Sequence, residues 1–421
     1  MNMEKLLPVR QRLPNRKLND IPGAVHRELT SCAFASPLKP GSRIAIGVGS
    51  RGISNLAEIV RSVVDFFRAS AVDPFLFPAM GSHGAATAAG QAMVLAHYGI
   101  DEASMGCPVV SSFDVVSLGR TREGIETFAG KDAWESDGIF LINRVKWHTS
   151  FAGSIESGVS KMIALGLGKI EGARTCHGHA RSLGMEAVIR SVTAHLLASG
   201  KILGGLAVLE DAHHNTGQIT ALPADGLIER EAELLRLAKS WMARIPVPSL
   251  DILIVDEIGK NISGTGMDFK VVNRGAHGQY NPWPDTPQVQ RIFIRSLSDL
   301  SYGNAVGIGL ADVIHDRVLE KVDVNAGRIN AMTSGSLAAV RTPLHFPSDR
   351  DCIELLMATV GKFDAAEITM GWIRNTLELE KLALSQNLAE EIGKNPMLEI
   401  AGPPFDLEFD AQGNFGPWPR S

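Results

Sequence analysis

The apolar residues of this chain fall in short runs that end at glycine, proline or polar breaks. RIAIGV, residues Arg43–Val48, is apolar on both faces and so reads as a buried strand rather than a half-exposed one. NLAEIVRSVVDFFRAS repeats its apolar positions at helical spacing, with Ser54 as a plausible N-cap. PFLFPAM predicts a second strand, ending in GSHG, and Thr87 predicts the cap of a helix over 88–98. A third strand is predicted over 138–145, a helix over 185–198, a strand at ILGGLAVLE and a long helix over 227–243. This rhythm of strand, glycine loop and helix predicts an α/β fold with mostly parallel strands.

ARIPVPSLD interrupts both periodicities with two prolines and is the best linker candidate. DILIVDEIG opens a second α/β unit, continued at NAVGIGLADV and DRDCIELLMATVG. A length of 421 residues favours two cores over one. The expectation is two α/β domains with mostly parallel sheets and an interdomain active-site cleft. Residues 1–245 form the cofactor- and substrate-binding domain and 250–421 the second domain. Residues 1–40 are expected to wrap the surface, and the last ~20 residues to form a strap able to return to the first domain.

Composition narrows the function. Hydrophobic residues make up 45% and charged residues 21%, as in ordinary globular proteins. A net charge of −5, with Lys and Arg scattered, argues against nucleic acid or an anionic membrane as partner. No apolar run approaches the roughly 20 residues of a membrane helix, and the N-terminus lacks the apolar core of a secretory leader. Cys32, Cys107, Cys176 and Cys352 form no CxxC pair and suit reduced thiols, so a cytoplasmic protein is expected.

The chemistry concentrates at predicted strand ends. Arg51 in GVGSRG, His83 in AMGSHG and His148 in NRVKWHT each follow one of the first three strands. In open α/β sheets, ligands occupy the crevice outside those ends. Lys161 lies in a short apolar segment between two glycine breaks, and Cys176, His177 and His179 follow. Taken singly, each residue has an ordinary structural reading, a turn histidine or a lysine reaching water; their convergence points to a site. GVGSRG lacks the acidic ribose partner of a dinucleotide fold, and no GxxxxGK[ST], GxSxG or HExxH pattern occurs. His213 and His214 point in different directions after a strand and read as structural.

On GSRG, MGSHG, VKWHTSFAG, SGVSKMIALGLG and CHGH, the chain resembles the nickel-pincer-nucleotide-dependent lactate racemase family, most strongly over residues 43–179. The resemblance implies an isomerase, a racemase or epimerase of 2-hydroxy acids. It implies a covalent nickel-pincer nucleotide on Lys161 and His177, sixteen residues on, as the protein ligand to nickel, with His179 as the alternative. It also implies His83 and His148 as the acid/base pair and Arg51 as a substrate contact. Lys260 and Asn261, after DILIVDEIG, are implied as further substrate contacts, and cofactor-maturation enzymes as partners. In that family hydride passes transiently to the cofactor while a histidine takes the hydroxyl proton. The loop at Arg51 lacks the His-Thr-Arg-Pro character of the lactate enzymes, GAATAAG follows His83 without Arg-Pro, and an insertion lies near SIES. These departures point to a bulkier or more polar acid, such as a sugar acid. Two other readings stay open: a conventional metal on His177, His179 and Glu156 serving a lyase or hydrolase, and a non-catalytic binder of a small acid.

Overall fold

Continuous apolar runs place Arg43–Val48, Asp73–Pro78, Gly138–Arg144 and Ile202–Glu210 side by side in a parallel sheet, in the order Asp73–Pro78, Arg43–Val48, Gly138–Arg144, Ile202–Glu210. Thr216–Pro223 adds an antiparallel edge. The computed structural model describes residues 3–34, 38–49, 52–81 and 87–418. Both faces of the sheet are covered, which is why the central positions of the parallel strands are apolar on both sides. Ile44, Ile46, Val48, Phe140 and Ile142 pack with the helices Ile21–Ser31 and Leu56–Ala69. Ala45, Ile139, Leu141, Ala207 and Leu209 face the helices Met185–Leu197 and Leu227–Trp241. Strand order reverses between Arg43–Val48 and Gly138–Arg144, so the crevice at their carboxyl ends is the topological switch point.

Thr87 does cap its helix, accepting the Gly90 N–H at 3.0 Å. The helix Leu56–Ala69 instead starts after Asn55 in the left-handed region, and the Ser54 N–H donates to Glu210 Oε1 at 2.8 Å. That hydrogen bond ties the loop after Val48 to the end of a strand far along the chain.

The chain divides into two compact units, 14–242 and 1–13 with 243–421. In the second, five parallel strands run in the order Leu344–Phe346, Val313–His315, Gln288–Ile294, Ser249–Val255 and Met370–Ile373. Lys381–Ser385, Leu6–Gln11 and Leu398–Ile400 extend the sheet antiparallel. Both units are therefore α/β with mostly parallel sheets. The N-terminal segment does not simply wrap the surface: Leu6, Leu7 and Val9 are buried between two strands from the other end of the chain, and 21–31 is helical. Nor is the C-terminal stretch only a strap. Phe415 is buried beneath Arg295, which donates to the Phe415 carbonyl at 2.7 Å, and the Phe415 N–H donates to buried Asp349 at 3.2 Å. These contacts lie within its own unit. Among the described residues no helix is long and apolar enough to cross a membrane.

Candidate active site

The segment carrying Lys161 lies across the carboxyl ends of three parallel strands. A one-turn helix, Val159–Lys161, passes into a π-helical turn, Met162–Gly166, closed by the Leu167 N–H donating to the Met162 carbonyl at 2.8 Å. Such widened turns recur at functional sites. Asn143, near the end of the third strand, donates to the Gly158 carbonyl at 2.7 Å. Gly49, just after Val48, lies against Met162. A Cβ on Gly166 would fall 2.4 Å from the Ala79 carbonyl, just beyond the second strand, so only glycine admits this approach. The glycine break after Lys161 is thus a demand of close backbone packing.

His148 belongs to a loop folded around one carboxylate. Glu156 is buried, and it accepts the N–H of His148, the N–H of Gly153 at 3.2 Å and the Lys239 ammonium at 2.6 Å. Lys146 and Ser157 close the loop with reciprocal backbone hydrogen bonds of 3.1 and 3.2 Å. His148 Nδ1 accepts the Ser150 N–H at 3.1 Å, so the neutral ring carries its proton on Nε2. Its ring stacks on Phe151 at 4.4 Å between centroids, tilted 31°. The Lys161 ammonium sits 5.8 Å from the same Phe151 ring. Phe151, which sequence reading passed over, therefore joins His148 to Lys161.

His177 completes the group. It lies not in a polar loop but on the helix Lys169–Leu183, which follows the π-helical turn after a two-residue turn at Leu167 and Gly168. Although its side chain reaches solvent, burial of part of the ring and the nearby Lys161 charge hold its pKa below the ordinary histidine value. A neutral imidazole with an available lone pair is the state a metal requires. His179, two positions on, points elsewhere on the helix and lines a surface depression with Arg174, Thr175, Gly178 and Ser182. Glu156 is engaged by Lys239, so His177, His179 and Glu156 do not come together. Among the described residues, no three His, Cys, Asp or Glu side chains gather to hold a metal by themselves. Cys176 is inert: burial pushes its thiol up to about 12, beside the Ala164 carbonyl at 3.5 Å.

A second lysine of this segment, Lys169, is buried with its ammonium donating to the Pro78 carbonyl at 2.7 Å. Burial lowers its pKa to about 8. It pins the start of the His177 helix to the end of a strand. Arg51 and His83 lie outside the described residues; the strands before them, Arg43–Val48 and Asp73–Pro78, end at the edge where Lys161 sits. Lys260 and Asn261 are exposed in the unit containing 243–421, on the loop after Ser249–Val255. There Lys260 Nζ donates to Asn330 at 2.6 Å.

Removing the cation from Glu156 should be costly. Lys239→Met is expected to destabilise the protein by roughly 3 kcal/mol in urea unfolding, because a buried carboxylate loses its charged partner. A loss within experimental error would show that the backbone N–H donors alone hold Glu156.

No protein-family model matches this chain, and no curated protein is significantly similar to it. Among solved structures, the chain is similar to the lactate racemase apoprotein from Thermoanaerobacterium thermosaccharolyticum. That likeness has 13% identity and a TM-score of 0.52, covering 89% of this chain and 99% of that one. It is also similar to a protein of known crystal structure from Thermotoga maritima, at 14% identity and a TM-score of 0.45, covering 67% and 72%. What the chain shares with the racemase at this identity is its fold.

Proposed function

We propose that the chain is a racemase or epimerase of a 2-hydroxy acid, using a nickel-pincer nucleotide on Lys161. The observation that carries this reading is the grouping of Lys161, Phe151, His148 and His177 at the switch-point edge of a lactate-racemase-like fold. The donor set suits that group. Lys161 offers the amine for attachment and His177 one neutral nitrogen, while the cofactor's own sulfurs and carbon would supply the other nickel ligands. When bound, such a cofactor would supply a reversible hydride acceptor for the α-carbon of the acid.

The chain's residues would do the remaining work. His148, with its proton on Nε2, presents a hydrogen-bond donor toward a substrate oxygen; it accepts a proton at Nε2 only after its contact with Ser150 rearranges. His83 would act as the opposing base. Arg51, Lys260 and Asn261 are proposed on resemblance as the groups that bind the carboxylate and hydroxyls. Phe151 screens one side of the Lys161 amine from water.

The test is stereochemical. Protein co-expressed with a cofactor-making pathway is incubated with single enantiomers or epimers of lactate, larger 2-hydroxy acids and sugar acids, and the products are separated on a chiral column. Interconversion of a larger or more polar acid in preference to lactate is expected. Nickel-loaded protein that leaves every acid unchanged would defeat the proposal.

A further inference from the structure

We propose that Glu231 and Thr193 are positioning residues for Lys161, clamping the Ser160 peptide from opposite sides and so fixing how the lysine leaves its turn. The two residues come from helices that follow Lys161 in the chain, Met185–Leu197 and Leu227–Trp241. The Ser160 N–H donates to Glu231 Oε2 at 2.9 Å, and the Ser160 carbonyl accepts from Thr193 Oγ1 at 2.9 Å. That carbonyl belongs to the peptide bond ending at the Lys161 nitrogen, so the clamp acts one bond from the lysine backbone. Ser160 and Thr193 are 0% exposed and Glu231 1%, so water offers no substitute for either bond.

The geometry shows that room was made for the carboxyl. A Cβ on Gly158 would fall 2.3 Å from Glu231 Oε1, so glycine is what allows Glu231 to reach the turn. Gly158 also gives this turn no side-chain cap, and Glu231 supplies the acceptor from a distant helix. Glu231 Oε1 and Ser160 Oγ are both buried and neither makes a hydrogen bond of normal geometry, although the hydroxyl is near enough to favour the carboxylate. Burial outweighs that help and raises the Glu231 pKa to about 7. The carboxyl is therefore less fully ionised than an exposed glutamate, and glutamine keeps the acceptor oxygen that the Ser160 N–H requires.

The inference rests on Lys161 being the functional lysine, but its test uses the full-length apoprotein and needs no cofactor. Trace acetylation with acetic anhydride, followed by peptide mass spectrometry, gives the amine reactivity of Lys161 relative to exposed Lys5. Loss of a buried hydrogen bond should shift Lys161 reactivity by about fivefold in Glu231→Leu and Thr193→Val, with Lys5 unchanged. Glu231→Gln should stay within about twofold of the parent, since its amide oxygen still accepts the Ser160 N–H. Parent-like Lys161 labelling in folded Thr193→Val and Glu231→Leu would overturn the clamp. Thr193→Val is nearly isosteric and decides the matter alone if Glu231→Leu does not fold. A parent protein that never acquires a Lys161 adduct would sink the racemase reading while leaving this comparison intact.

Discussion

Lys161→Ala is expected to leave a folded protein with no cofactor adduct and no interconversion of any 2-hydroxy acid above the uncatalysed rate. The expected loss is complete because the proposed attachment is covalent and rests on one amine. The fold should survive, since the backbone around Lys161 is held by Asn143, Glu231 and Thr193 rather than by the lysine side chain. Lys169 provides the control. Its pKa of about 8 gives it more free amine at neutral pH than an ordinary lysine, which makes it the chemical rival. Its ammonium is nevertheless enclosed and bound to the Pro78 carbonyl. Lys169→Met should therefore lower stability yet keep the adduct. Intact mass and circular dichroism on the two variants check both statements; an adduct that survives in Lys161→Ala and disappears in Lys169→Met would move the attachment to Lys169.

His148→Ala is expected to keep the adduct and the nickel but to lose turnover by about 10²- to 10⁴-fold, the usual contribution of a positioned acid or base. Its loop should stay in place, because Glu156 holds the backbone N–H of residue 148 rather than the imidazole. Where the reaction is a racemisation the equilibrium constant is one, so kcat/KM must fall by the same factor from either enantiomer. Chiral chromatography from both sides measures this directly. Full turnover in His148→Ala would remove it from the acid/base pair and leave the ring as a packing partner of Phe151.

Much of the candidate site was legible because its signals are local. The three strands, the glycine breaks and the placement of His148 after the third strand follow from short runs of residues. The physical cause of two of these glycines, the Glu231 carboxyl against Gly158 and the Ala79 backbone against Gly166, became visible only with those distant residues in place. What the sequence concealed depends on partners far apart in the chain. Glu231 lies on the second turn of a distant amphipathic helix and reads there as an ordinary solvated charge. Lys239 likewise gives no sign that it neutralises Glu156. His177 and His179 fall in a segment whose glycines disguise a helix, which follows the π-helical turn after a short turn at Leu167 and Gly168. Leu6–Gln11 has apolar strand character, but only its pairing with Lys381–Ser385 and Leu398–Ile400 makes it a strand. Phe151 was missed for the opposite reason: a lone aromatic in a polar loop usually only packs, and here it packs against His148 with the Lys161 ammonium near its ring.

The most direct test of the central claim is intact mass with peptide mapping and nickel analysis, on full-length protein made alongside a cofactor-producing pathway. The account predicts an added mass that maps to the peptide holding Lys161, with about one nickel per chain, and loss of that nickel without loss of the adduct in His177→Ala. An unmodified Lys161, in a preparation where a known lactate racemase becomes fully loaded, would contradict it.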